Sequence, residues 1–340
     1  MGSPARVSTP CLRCSTRSAV SKDSTIQTRR TAKEAEGRQT VSLMGRLMPT
    51  IMRLRRSNKH HRTRERVRRR LQDLTLHPAR TDPPRLRRTG VHIASRQDRG
   101  WMIHTVSPTQ STAKGTVLYL HGGAWMNEAV IQHWWLIQEL AVEASVNVVV
   151  PVYPLVQAGG TARTVLPRIA ELARSVEGPL ILMGDSAGGT IAISTNLMLR
   201  NEGSPADLTV LVSPALDLRM ENPEIDAVQP SDPWLVKQGQ LLLSEMWTEE
   251  QFDDPVINPI LADPDGIGRL LIFSGTRDIL NPDTRLFVQH AKQAGSDVAY
   301  HEAAGQLHVY PLLPTPEAKS ARREIAEAVR DLVTAHRDSR

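Results

Sequence analysis

Short apolar runs and longer amphipathic stretches alternate through most of this 340-residue chain. Runs at about 90–106, 116–121, 146–153, 179–184, 207–213, 269–274 and 297–303 are rich in Val, Ile and Leu and end in Gly, Pro, Ser or Asp. That pattern predicts strands. Between them, 130–144, 161–176, 187–200, 236–248, 283–294 and 316–336 carry apolar residues at helical spacing, such as Ile325, Ala328, Val329 and Leu332. Strands separated by helices predict a mainly parallel sheet covered by helices on both faces. The opening strands, close together in sequence, predict an antiparallel edge. Residues 215–235, rich in Pro, Asp and Glu, read as a long insertion of the kind that borders a binding site. No internal repeat is present.

The N-terminal part is different. Leu43, Leu47, Ile51 and Leu54 fall at helical spacing, which predicts a helix from Leu43 toward Leu74, ended or kinked at Pro49. Before it, Ser, Thr and Arg dominate without apolar periodicity. The predicted organisation is a disordered tail over 1–42, a basic helical arm over 43–88 and the α/β domain over 89–337. The leucine stripe predicts that the arm packs against this domain as a cap.

Charge sharpens this division. Residues 1–90 hold 23 Lys/Arg against 6 Asp/Glu, a net +17, whereas the remainder holds 19 against 30, a net −11. Ten of the basic residues lie within 53–70. Besides a cap, such an arm suits peripheral contact with an anionic membrane; nucleic acid is the least favoured partner. No apolar core follows a basic start, so no signal peptide is read, and no run approaches the roughly 18 residues of a membrane span. The two cysteines, Cys11 and Cys14, both lie in the tail, and no further ligands accompany them, so neither a metal site nor a disulfide in the body is expected. These features predict a cytoplasmic protein, with peripheral membrane contact as the open alternative.

The chemistry lies in three loops. Gly184-Asp185-Ser186-Ala187-Gly188-Gly189 stands between a predicted strand and a predicted helix. A serine on so sharp a turn is pushed out of the backbone, and small neighbours are needed to avoid a collision. By itself the motif also fits an ordinary strand ending in small residues. Upstream, His121-Gly122-Gly123-Ala124-Trp125 follows a strand and offers bare backbone N–H groups. Gly122, Gly123 and Ala187 are read as donors to an oxyanion, and His121 as a loop-shaping residue. Downstream, Asp278 and His308 each follow a strand. A serine needs a base, and the base needs a carboxylate to hold its tautomer. The order Ser186, Asp278, His308 is that of α/β-hydrolases. Asp283 is the rival acid.

On these residues the chain resembles the bacterial hormone-sensitive-lipase-like family of α/β-hydrolases over roughly 90–335. Val152-Tyr153-Pro154-Leu155, Ser213-Pro214-Ala215-Leu216-Asp217, Asp232-Pro233-Trp234-Leu235 and Asn258-Pro259-Ile260-Leu261 add to the match. The resemblance implies the α/β-hydrolase fold with an N-terminal helical cap. It implies a serine esterase or lipase-type enzyme without metal or organic cofactor, acting on small to medium acyl esters. Ser186 would be nucleophile, His308 base, Asp278 acid, with Ala124 and Trp125 near the substrate. Trp134 and Trp135, on a helix, read as packing. The chain departs from the family where Ala124 replaces a third glycine and where Pro282-Asp283 replaces an acidic pair. Amide hydrolysis, as in an aryl-formamidase, stays open on the same triad, and a non-catalytic ligand-binding protein is the remote alternative. The sequence leaves the oligomeric state undecided.

Overall fold

The computed structural model describes Gly2 and residues 41–338, apart from residue 56 and residues 85–87. The tail and both cysteines therefore lie outside the described residues, except for positions 41 and 42. From Val41 onward the chain forms one compact unit, in which the basic arm is not separated from the body.

Eight strands make one sheet in the order β1-β2-β4-β3-β5-β6-β7-β8. The run expected at 90–106 is a hairpin. β1 (Val91–Asp98) and β2 (Trp101–Pro108) pair antiparallel around a turn at Arg99 and Gly100, and β2 pairs antiparallel with β4 (Asn147–Val152). The other pairings are parallel: β3 (Thr116–Leu120), β5 (Leu180–Asp185), β6 (Leu208–Val212), β7 (Arg269–Gly275) and β8 (Val298–Ala303). The expected antiparallel edge and parallel body are both present.

Side chains alternate between two apolar layers. In β3, Leu118 and Leu120 join one layer while Val117 and Tyr119 join the other; in β5, Leu182 faces opposite Ile181 and Met183. Burial on both faces explains why these strands read as continuous apolar runs. One layer receives the arm helix α2 (Arg64–Leu76), α4 (Ala162–Arg174), α5 (Ala187–Asn201), α7 (Lys237–Thr248) and α8 (Asn281–Gln293). The other receives α1 (Leu43–Leu54), α3 (Ile131–Ala144) and α9 (Pro316–Asp338). The insertion at 215–235 contains the short α6 (Glu224–Val228).

The strand order positions the site. From β3 the chain turns to β4 on one side and then returns to β5 on the other, so a crevice opens beyond the carboxyl ends of β3 and β5. Leu120 pairs with Gly184, which sets the His121 loop directly beside the Ser186 turn.

The arm departs from expectation in two ways. Pro49 neither ends nor stops α1, which runs unbroken to Leu54 with Pro49 buried inside it; a separate helix, α2, begins only at Arg64. And the stripe Leu43, Leu47, Ile51, Leu54 does not pack inward. Gly45, Met48 and Pro49 form the buried face, while Leu43, Leu47 and Leu54 point outward. The spacing was helical, but α1 is apolar on two sides and only one is used by the body. Polar bonds add to this packing: Ser42 caps the helix and binds Glu317 through its backbone N–H, 2.5 Å, and its hydroxyl, 2.9 Å. α2 is held to α7 by the Arg64 guanidinium, which donates to both carboxylate oxygens of Glu245. Among the described residues no helix is long and apolar enough to cross a membrane.

Candidate active site

Ser186 stands between β5 and α5 with φ 52° and ψ −121°, an arrangement disfavoured for any residue with a side chain. The turn closes only because its neighbours are bare. A Cβ on Gly184 would meet the Gly188 carbonyl oxygen at 2.2 Å, and one on Gly188 would meet the Leu120 carbonyl oxygen at 1.9 Å. Positive φ also occurs at Ala124, Ser213 and Val309, all on loops around the same crevice. The Val309 N–H donates to the Ser213 hydroxyl, 3.0 Å, which ties the His308 loop to the end of β6.

The three residues singled out for catalysis meet here from 122 positions of separation. His308 Nε2 lies 3.0 Å from Ser186 Oγ, and His308 Nδ1 lies 2.8 Å from Asp278 Oδ2. Asp278 is fully buried, and its other oxygen accepts the Leu280 N–H at 2.9 Å. The ring is therefore oriented with Nδ1–H toward the carboxylate and Nε2 toward the hydroxyl. Burial alone would lower the His308 pKa, but the neighbouring Asp278 outweighs it and raises the value above 6.5. Trp234 meets the imidazole edge-on, centroids 5.8 Å apart. The rival acid, Asp283, has no contact with this group: it is buried in the first turn of α8, and burial followed by the charge of Asp217 pushes its carboxyl up to about 7.

Two residues that sequence reasoning passed over hold the His121–Trp125 loop. Asp185, beside Ser186 and 2% exposed, turns its carboxylate toward Tyr119, Gly122 and His133 instead. Its Oδ1 accepts the Tyr119 hydroxyl at 2.7 Å and the Gly122 N–H at 3.0 Å; its Oδ2 lies 3.1 Å from His133 Nε2. His133 Nδ1 accepts the Val130 N–H, 2.9 Å, so Nε2 is the nitrogen that carries hydrogen toward Asp185. Burial would raise the Asp185 pKa, but His133 and these donors bring it below the usual carboxylate range. The expected donor role of Gly122 is therefore corrected, because its N–H is already engaged by Asp185. The N–H groups of Gly123 and Ala124 have no partner among the described residues, and Ala187, first in α5, has no intrahelical acceptor for its own. His121 is a loop-shaping residue: it is buried, stacked on Tyr153 at 4.6 Å, and its pKa falls to about 4 through burial and then the nearby His133. Removing Asp185 would orphan three buried donors, so Asp185→Ala is expected to cost about 3–5 kcal/mol of stability. A urea unfolding midpoint left unchanged by that substitution would refute the loop-holding role.

A cavity of about 380 Å³ opens at Ser186. Val130, Trp234, Leu235, Leu312 and Leu313 make its apolar wall, with Gly123 and Ala124 at its base. His61, from the link between α1 and α2, reaches into it, as does Glu128, whose carboxyl burial raises to about 7. Trp125 does not line this cavity; it lies beneath the loop, 2% exposed and stacked on Trp247 at 5.4 Å. Trp134 is packed as expected, whereas Trp135 is exposed. Asp232, adjacent to Asp278 and His308, accepts the backbone N–H groups of Trp234, Leu235 and Ile279, and so joins the insertion to the Asp278 loop.

A doubly covered, mainly parallel sheet with a serine on the turn after its central strand defines an α/β-hydrolase. The chain belongs to the alpha/beta hydrolase fold family, whose model matches residues 117–312. It is 28% identical over 221 residues to a triacylglycerol lipase of Mycobacterium tuberculosis, a match covering 63% of this chain but only 46% of that protein. It is also 28% identical over 230 residues to an esterase of Acinetobacter venetianus, covering 64% of this chain and 75% of the esterase. A solved esterase of the bacterial hormone-sensitive lipase family superposes with a TM-score of 0.71 at 22% identity, over 86% of this chain and all of that one. The expected fold and resemblance stand, and the expected enzyme class, an esterase- or lipase-type hydrolase, is the one these relatives carry.

Proposed function

We propose that this protein is a serine carboxylic ester hydrolase that works through an acyl-enzyme. The relay from Ser186 through His308 to Asp278, with spacings of 3.0 and 2.8 Å, carries this reading. His308 Nε2 accepts the proton of Ser186 as Oγ attacks the ester carbonyl. Asp278 stabilises the imidazolium through Nδ1–H and holds its tautomer. The oxyanion falls to the N–H groups of Gly123, Ala124 and Ala187, supported by their lack of other partners and by the start of α5 at Ala187. His308 then gives its proton to the leaving alcohol, and afterwards activates water to release the acid. The cavity of about 380 Å³ supports small to medium acyl groups. His61 gives the arm a place in the cavity wall and supports its reading as part of a cap.

The primary test is labelling with a fluorophosphonate and mapping of the adduct by mass spectrometry, beside a panel of p-nitrophenyl esters and matched anilides of increasing acyl length. Adduct on Ser186 with turnover of the shorter esters is expected; labelling elsewhere would reassign the nucleophile.

The pH dependence follows from His308. Protonated His308 cannot take the serine proton, so activity falls as pH drops through its pKa. Because Asp278 raises that pKa, the acid limb of kcat/KM is expected to lie above 6.5, and to move lower in Asp278→Asn. A limb well below 6.5 in the unmodified enzyme, read from its pH–rate profile, would contradict the coupling.

A further inference from the structure

We propose that the outer face of α1 is a docking surface for an anionic lipid bilayer. Leu43, Leu47 and Leu54 are 74, 47 and 79% exposed, with Met44 exposed and Ile51 half-buried beside them. On a helix of 3.6 residues per turn these five side chains fall within about 100° of arc. They form one continuous apolar stripe, clear of the face that Gly45, Met48 and Pro49 turn toward the body. A surface helix needs only one apolar stripe to hold it to a core; α1 has a second that the body does not use.

The charges around the stripe identify its occupant. Arg46 and Arg53 flank it on α1, and Arg55 and Lys59 follow directly after the helix. All four are exposed, and none has a carboxylate within salt-bridge distance among the described residues; Arg46 and Arg53 instead donate to the Val41 and Pro230 carbonyls. An apolar stripe bordered by unpaired arginines matches an interface with hydrocarbon beneath and anionic headgroups above. A second copy of the chain would bring the same cations face to face. Residues 1–40 hold 8 Lys/Arg against 3 Asp/Glu, so their charge does not complement this surface.

The position of α1 gives the contact a use, one that rests on the esterase reading. Gly45 lies against the Gln306 side chain, and Arg53 donates to the Pro230 carbonyl at 3.2 Å. Both partners stand two residues before groups at the active site: Gln306 before His308, Pro230 before Asp232. The lipid-facing helix thus sits on the loops that frame the cavity, which suits esters held in or released from a bilayer.

The full-length protein is to be sedimented with phosphatidylcholine vesicles, with and without phosphatidylserine, at low and high salt. Pelleting only with the anionic vesicles, fading with salt, is expected. The triple variant Leu43→Glu, Leu47→Glu, Leu54→Glu is expected to lose vesicle partitioning by at least about tenfold. Its turnover of a water-soluble short ester is expected to stay within about twofold, since the substituted positions are exposed and outside the cavity. That readout also separates loss of docking from loss of the fold or of the esterase reaction. Three results would overturn the proposal: no pelleting of the full chain with anionic vesicles, equal pelleting of the triple variant, or a dimer in sedimentation velocity that the triple variant dissolves.

Discussion

Replacement of Ser186 by alanine is expected to abolish ester hydrolysis while leaving the fold intact. The loss in kcat should be on the order of 10⁶, the scale seen when the nucleophile of a serine hydrolase is removed, because attack by Oγ has no substitute within the cavity. Stability should change by less than about 1 kcal/mol, since only the hydrogen bond to His308 is lost. Alanine also keeps the Cβ that the positive φ already accommodates. Unfolding midpoint and turnover measured on the same preparation separate the two effects. Near-wild-type turnover, with contaminating esterase excluded, would show that Ser186 is not the nucleophile.

The second large effect distinguishes two aspartates. Asp278→Asn is expected to lower kcat by about 10⁴, because an amide can no longer fix the Nδ1–H tautomer or balance the imidazolium. Asp283→Asn should leave kcat near the wild-type value. It lies away from His308, and burial has raised its carboxyl to about 7, so the folded protein resists its ionisation. A raised carboxylate pKa means that the charge destabilises the fold at any pH above the unfolded value; the neutral amide should then hold or raise the melting temperature at pH 8. The opposite ranking of the two variants in steady-state kinetics would move the acid to Asp283.

The parts of the site that were legible are those whose chemistry depends on backbone spacing. Gly184, Ser186 and Gly188 announce a turn that excludes side chains, and the sheet places the Asp278 and His308 loops where strand ends converge. The errors arose where a residue's partner lies far along the chain. Gly122 looks like a free donor in its own loop; only the pairing of β3 with β5 brings the Asp185 carboxylate to its N–H. His133 carried no signal in a helix that reads as simple packing, and Trp125 turns under its loop rather than into the cavity. For α1, periodicity identified the helix but not its inner face. Met48 and Met52 lie on the side toward the body, and the more obvious leucines on the other. A spacing rule cannot rank two apolar faces; the fit of Gly45 against Gln306 does.

The bond from Ser42 to Glu317 spans 275 positions, and that from Arg64 to Glu245 spans 181. Synthesis runs from the amino end, so α1 leaves the ribosome long before Glu317 exists. Contacts between such distant positions are slow to form, because closing a long loop costs chain entropy before the contact returns any stability. α1 thus finds its seat late. Throughout translation its leucines and arginines remain open to chaperones and to any charged surface nearby. This segment therefore meets other surfaces before its own partner in the fold has been made.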